Sequence, residues 1–377
     1  MMLRNLRDIR KMKQEKRTFV EVNLSNISHN IRDIRKLLAP GVKFMAVVKA
    51  DAYGHGAVAV SKAIARSVDY LSVATLSEAL ELKEADIKTP VFILSEVAPS
   101  NARYVVENGF IQTVYTSQLA KALSSAAGRL GRRARVHLKF DTGMGRIGAK
   151  PDEAVKIFNI ISKMPGIKIE GVFTHLARAE EKNGFTKEQL RIFRDLVSRI
   201  DDSSLILHAA NSAGTLYHKD SHLDMVRVGI SMYGLYPPGG ERTVELKPAL
   251  EFRTSVVYLK KVPAGTPISY GSTYVADRET NIATLPVGYA DGLPRALSNK
   301  GHVLINGRRY PIAGRVCMDI TLADVKNGHV AMGDQVTLIG TQGKERITAD
   351  DVASQAGTIN YEIICGIGKR VPRIYKK

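Results

Sequence analysis

Eight short apolar runs, separated by amphipathic stretches of helix length, punctuate the chain as far as residue 245. They fall at 44–48, 70–75, 91–94, 111–115, 135–140, 169–174, 205–209 and 224–228. Runs that are apolar at consecutive positions, rather than at alternate ones, belong to strands buried on both faces, as in a parallel sheet sheathed by helices. The intervening stretches include 77–85, 152–163 and 186–200, the last opening at a Thr-x-x-Gln pattern that reads as a cap at Thr186. Eight such repeats predict an α/β fold, a (β/α)8 TIM-like barrel over 18–245. An open doubly wound sheet is the competing fold, but no Gly-x-Gly-x-x-Gly turn follows the first run.

The texture changes after Pro237-Pro-Gly-Gly240. Short alternating segments at 252–261, 281–285, 302–305, 308–312, 316–321 and 335–339 replace the helical periodicity. Asn306-Gly307 between two of them reads as a tight hairpin turn, because both residues tolerate positive φ. The segment 246–377 is therefore expected to be a separate C-terminal, mainly-β domain. Residues 18–22 also read as a strand, and the pattern alone leaves open which domain takes it.

Composition narrows the class. With 377 residues, 44% of them apolar, the chain can bury two cores, and no apolar stretch is long enough to span a bilayer. Two cysteines, Cys317 and Cys365, are too few for a disulfide framework, which points to a reducing cytoplasm. The net charge is +18, and the basic extension 1–17 holds seven Lys or Arg against two acids. The remaining basic residues are scattered, without the aromatic-interleaved groove of a nucleic-acid binder, so neither nucleic acid nor membrane is expected as a partner. No metal-ligand cluster is read from the sequence.

Chemistry concentrates where the apolar runs end. The first run leads into Lys49, then Tyr53, Gly54 and Gly56. A lysine at the mouth of an apolar strand is exposed to desolvation, which favours its neutral, nucleophilic form; a strand-end lysine pointing into water is the plain alternative. Arg146, His175, Asn211, Ser212, Arg227 and Gly229 also follow predicted strands, which collects them at the C-terminal mouth of the barrel, where such folds build their sites. Loops after the last two strands commonly hold phosphate, and Ser212, Gly229 and Ile230 lie there.

These strings occur with others in one order: Lys139-Phe-Asp-Thr-Gly-Met-Gly-Arg146, Phe173-Thr-His175, His208-Ala-Ala-Asn211-Ser212, Val226-Arg227-Val-Gly-Ile230, Ser269-Tyr270-Gly271, Gly288-Tyr289-Ala-Asp-Gly292, Val316-Cys-Met318-Asp319 and Asn360-Tyr361-Glu362. Together they resemble the alanine racemase family over nearly all of the chain after residue 17. The resemblance implies pyridoxal 5'-phosphate as cofactor and interconversion of L-alanine and D-alanine, supplying D-alanine for cell-wall peptidoglycan. It implies a head-to-tail homodimer with sites shared between subunits. Lys49 would carry the cofactor and act as one base, with Tyr270 of the partner subunit acting from the other face. His175 and Arg227 would support the phenol through a hydrogen-bonded chain. Tyr53, Asn211, Ser212, Gly229, Ile230 and Tyr361 would join them in holding the cofactor.

The same resemblance makes Arg146 the contact to the ring phenolate and the substrate carboxylate, with Met318 and Asp319 lining the substrate pocket. Tyr289 and Arg295 would line the entry corridor. Lys139 is either a carbamylated lysine positioning Arg146 or a plain lysine in an ion pair. An arginine facing the ring nitrogen keeps that nitrogen unprotonated, which favours racemisation over decarboxylation. Barrel decarboxylases, the runner-up, place a carboxylate there and a cysteine in place of Tyr270; non-catalytic pyridoxal-phosphate carriers are usually a barrel alone. The pocket is expected to favour alanine, with serine only weakly rejected. Arg178 and Glu180 depart from the family's usual residues after the site histidine.

Overall fold

The computed structural model describes residues 17–181, 183–239 and 242–377. Except for Arg17, the basic extension lies outside them. The chain divides into two units, one spanning 24–249 and the other made of the N-terminal segment up to Asn23 with 250–377.

In the larger unit the eight apolar runs are strands: β2 (Lys43–Val47), β3 (Tyr70–Val73), β4 (Val91–Ile93), β5 (Ile111–Val114), β6 (Ala134–Lys139), β7 (Ile167–Phe173), β8 (Ile206–His208) and β9 (Met225–Val228), after β1 (Phe19–Asn23). They pair in parallel in the order β8-β7-β6-β5-β4-β3-β2-β9. The sheet's two ends meet through the Asp224 N–H to the Leu207 carbonyl and the Arg227 N–H to the Ala210 carbonyl, each 3.0 Å, so the sheet closes into the TIM-like barrel. Met45, Phe92, Ile111, Phe173 and Met225 fill its interior, all at most 2% exposed. Burying each such side chain contributes about 1.5–3 kcal/mol.

Helices cover the outside, including Leu76–Glu84, Pro151–Ser162 and Phe185–Ser198. The cap expected at Thr186 is absent. Gly184 caps that helix, Thr186 lies inside it, and its hydroxyl donates to the Arg178 carbonyl. Gln189, the apparent partner of the cap, is fully buried and braces the neighbouring segment instead, accepting from the Ala177 N–H at 2.8 Å and donating to the His175 carbonyl at 3.1 Å.

The second unit is built on a sheet ordered β16-β15-β18-β10-β1-β20, with β19 added on β18, where β10 is Leu250–Ser255, β15 His302–Ile305, β16 Arg308–Pro311, β18 Gln335–Gln342, β19 Glu345–Ile347 and β20 Arg373–Lys376. Strand β1 pairs antiparallel with β10 and parallel with β20, which takes 18–23 out of the barrel, contrary to the 18–245 boundary read from the sequence. Its burial explains why: Val20 and Val22 are fully buried while their neighbours are not, the period of two of a one-sided sheet. The other boundary falls at 249/250 rather than 245/246.

A smaller sheet joins β11 (Tyr258–Val262), β14 (Thr280–Leu285) and β17 (Thr321–Lys326), and β12 (Pro267–Ile268) pairs with β13 (Tyr274–Val275). The run 252–261 is thus two strands in two sheets. The run 316–321 is mostly a turn whose Cys317 N–H bonds the Ile320 carbonyl. The hairpin between β15 and β16 turns at Asn306 and Gly307, with φ of 50° and 71°. Helices Ala349–Ala356 and Asn360–Cys365, which the reading of a mainly-β domain did not anticipate, follow β19.

Candidate active site

Lys49 stands just beyond β2, half-buried. The four residues after it, Ala50 to Tyr53, all have φ between 51° and 54°, a left-handed turn without a glycine. Such a conformation costs about 1–2 kcal/mol per residue. The Ala50 N–H donates to Glu78 Oε1 and the Ala57 N–H to Asp51 Oδ1, both at 2.7 Å. The other Glu78 oxygen accepts from the N–H groups of Ala74 and Thr75, closing the capping box of helix Leu76–Glu84. One carboxylate thereby ties the mouth loops after β2 and β3 together. The turn carries Tyr53 back against the barrel, 8% exposed, with its ring centroid 5.1 Å from that of Tyr233.

Arg227, in β9, is the hub of the mouth and is 3% exposed. Its Nη1 donates to His208 Nδ1 at 2.9 Å. Its Nη2 lies 3.1 Å from His175 Nδ1, 2.8 Å from the Thr174 carbonyl oxygen and 3.0 Å from that of Ala209. A guanidinium can only donate, so both histidines accept through Nδ1 and carry their single proton on Nε2. His208 then donates from Nε2 to His137 Nδ1 at 2.9 Å, and His137 Nε2 has no partner among the described residues. Burial, aided by the positive Arg227, holds His175 and His208 well below the usual imidazole range, and burial pushes His137 down to about 3. All three rings are therefore neutral at physiological pH, as accepting from Arg227 requires. Burial also lowers Arg227 to about 9, which leaves it charged at neutrality.

A register shift between β6 and β7 sets His137 opposite Gly171. A Cβ there would lie 2.7 Å from the imidazole, so only glycine admits the ring.

Beside the hub, Lys139 is 4% exposed, with Nζ 5.6 Å from the centroid of Phe173. Burial, then the charges of Arg227 and Arg146, pushes its amine down to about 7. No hydrogen bond or ion pair to that amine is found among the described residues. The one acidic group that acts on it, Asp141, opposes that shift. Arg146 itself is exposed, on a turn where Asp141 Oδ1 accepts from the Gly143 and Gly145 N–H groups, each at 3.0 Å.

Where β8 and β9 end, Asn211 caps helix Ser212–Tyr217 by accepting from the Gly214 N–H at 2.8 Å, and Ser212 Oγ accepts from the Gly229 N–H at 3.0 Å. A Cβ on Gly229 would fall 2.6 Å from the Tyr53 hydroxyl. Two hydroxyls thus converge on Gly229, which precedes the fully buried Ile230, in a cradle that a side chain at 229 would fill. Hydroxyl and backbone N–H donors in such a cradle suit a phosphate.

The remaining expected residues belong to the β unit. Tyr270 is 71% exposed and Met318 54%. Tyr289 neighbours Met318, because the N–H groups of Tyr289 and Ala290 bond the carbonyls of Cys317 and Met318 at 3.0 Å. Asp319 is paired to Arg370 at 2.7 Å, and the same guanidinium holds Asp291 at 2.7 Å. Arg295 opens a short turn, and Tyr361, half-buried, lies in helix Asn360–Cys365. The sequence reading assigned no role to Glu78, His137, His208 or Arg370. A histidine within a parallel strand is the one signal that marks two of them.

Two family models match this chain: "Alanine racemase, N-terminal domain" over residues 22–237 and "Alanine racemase, C-terminal domain" over 249–375. The chain belongs to the alanine racemase family. An alanine racemase of Halothermothrix orenii is 46% identical over 95% of this chain and 97% of its own length, and one from Methanococcus maripaludis is 40% identical over 95% and 98%. Among solved structures, an alanine racemase from Clostridium difficile superposes with a TM-score of 0.91 at 37% identity, covering 96% of both chains. One from Bacillus anthracis with bound L-Ala-P gives 0.91 at 38% identity, covering 96% of this chain and 95% of that one. Chemistry in this family depends on pyridoxal phosphate, and the cradle at Tyr53, Ser212 and Gly229 fits the phosphate of that cofactor. Among the described residues no helix is long and apolar enough to cross a membrane, and no metal-binding cluster is present.

Proposed function

We propose that this chain is a pyridoxal-phosphate-dependent alanine racemase, interconverting L- and D-alanine by a two-base mechanism. Lys49 is one base and Tyr270 of the partner subunit the other, in a homodimer with shared sites. The observation that carries this reading is the hub at Arg227. A donor that is charged at neutral pH, rather than a carboxylate, occupies the site, and its bond to His175 Nδ1 leaves a proton on His175 Nε2. That N–H is the group able to support a phenolate, which Tyr270 needs to be a base, since tyrosine's ordinary pKa is about 10. The exposure of Tyr270 and Met318 in one chain supports a second subunit covering them, because proton transfer is best done away from water.

Lys49, Tyr53, His175, Asn211, Ser212, Arg227, Gly229, Ile230 and Tyr361 would hold the cofactor. Bound pyridoxal phosphate supplies the electron sink that makes the Cα proton removable. Arg146 orients the substrate carboxylate, and Met318 and Asp319 shape the pocket, with Tyr289 and Arg295 on the way in. Lys139, neutral in part at pH 7, is disposed to add CO2 through its amine, releasing a proton and becoming an anionic carbamate beside Arg146. D-Alanine made in the cytoplasm would feed cell-wall peptidoglycan.

Borohydride reduction of the holoenzyme, followed by peptide mapping, tests the centre of the reading: the cofactor is expected on Lys49, and recovery on another lysine refutes the assignment. Mixing inactive Lys49→Ala and Tyr270→Phe subunits is expected to restore activity through heterodimers. No recovery despite verified mixing would count against shared sites.

A further inference from the structure

Tyr270 opens a turn that its own backbone does not favour. Ser269, immediately before it, has φ 64° and ψ −176°, a region that belongs almost entirely to glycine. Gly271 and Ser272 follow at φ 70° and 48°. A serine survives in such a conformation only where its surroundings over-determine it.

Two side chains do so. Ser269 Oγ donates to the Arg315 carbonyl at 2.8 Å, with Cys317 Sγ 3.5 Å away. Asn299, itself at φ 58°, donates from Nδ2 to the carbonyl and hydroxyl of Thr273 at 3.2 and 3.1 Å. Its Oδ1 accepts from the Gly314 N–H at 2.7 Å, and its own N–H donates to the Gly314 carbonyl at 3.3 Å. The upstream end of the turn is thus fastened to residue 315 and the downstream end to residue 314. The approach is close, since a Cβ on Gly314 would lie 2.6 Å from that of Ser269.

We propose that Ser269 and Asn299 are positioning residues for Tyr270, clamping a high-energy turn so that the phenol is fixed in place before substrate arrives. The inference rests on the reading of Tyr270 as a proton-transfer group. With 71% of Tyr270 exposed, packing within its own chain does little to orient it, and the backbone must do so. A proton donor misplaced by an ångström can lose about a hundredfold in rate.

The test uses holoenzyme in deuterated buffer and follows Cα-proton exchange of L-alanine and of D-alanine separately, with thermal melting and cofactor absorbance recorded alongside. Tyr270→Phe is expected to depress exchange of one enantiomer more than the other. Ser269→Gly and Asn299→Ala are expected to depress exchange of that same enantiomer by about ten- to a hundredfold, in kcat more than KM, with absorbance unchanged. Asn299→Asp, which keeps the acceptor for Gly314 and loses the donor to Thr273, should fall between. Glycine adopts the Ser269 conformation freely, so Ser269→Gly should melt no lower than the native protein while losing activity. Equal loss for both enantiomers, full retention, or a melting loss that parallels the activity loss would overturn the clamp. Clamp variants silent beside a responsive Tyr270→Phe would overturn it alone, whereas a Tyr270→Phe with no enantiomer preference would sink the base reading and the clamp with it.

Discussion

Arg227 is buried and held by its neighbours, while Tyr270 stands in solvent on a turn of unfavourable backbone. The first region gains precision from burial: one guanidinium meets two imidazoles and two carbonyls in the water-poor end of the barrel. The second buries none of the residues 270–272 and draws its precision from hydrogen bonds at 269 and 299. The contrast teaches that an active-site group need not be packed to be placed. It also separates what mutations should do. Damage at the hub should reach stability and chemistry together, and damage at the turn should reach chemistry alone.

The largest expected effect sets the two regions side by side. Tyr270→Phe should cost about a hundredfold or more in turnover, the usual worth of a general acid or base, yet move stability by less than about 0.5 kcal/mol. Arg227→Gln should lower both, because at least two buried acceptors lose their donor, each costing about 1–3 kcal/mol. Denaturant melts beside initial rates check the pair, and a Tyr270→Phe protein as destabilised as Arg227→Gln would erase the distinction.

His208→Leu sharpens it further. Removing the ring leaves Arg227 Nη1 without an acceptor and His137 Nδ1 without a donor, so stability should fall by about 1–3 kcal/mol. Activity should fall less than in Arg227→Gln, since His175 keeps its bond.

A last test concerns pH, and is read as a slope in stability. Lys139 sits at about 7 when folded and at about 10.4 when unfolded. Between those values the unfolded chain holds a proton that the folded one lacks, so this group makes stability rise with pH across that window. Its penalty is fully present below about 7. In CO2-free buffer, Lys139→Met should therefore be the more stable protein at pH 7, with a flatter stability curve up to pH 10. An unchanged slope would show that the amine stays charged when buried.

Much of the barrel was legible in the sequence because strands buried on both faces must be apolar throughout, and 44–48 or 111–115 say so without context. Where a residue's fate depends on a distant partner, the string is silent. Residues 18–22 looked like any strand until β10 and β20 claimed them. The run 252–261 is unbroken in character although the chain changes sheets after Ser255. The site residues after each barrel strand were recognisable by position, but the left-handed turn at 50–53 was not, since Ala-Asp-Ala-Tyr carries no glycine to announce it. Gln189 shows the converse. Its spacing from Thr186 imitates a helix cap, and its real work is to hold the backbone of His175 from inside the core.

The shared use of Glu78 has an evolutionary corollary. Because a single acid braces both the turn behind Lys49 and the start of the next helix, neither segment can change length on its own without unseating the other. Loop grafts meant to alter specificity in this barrel would have to transplant the first two connections as one cassette.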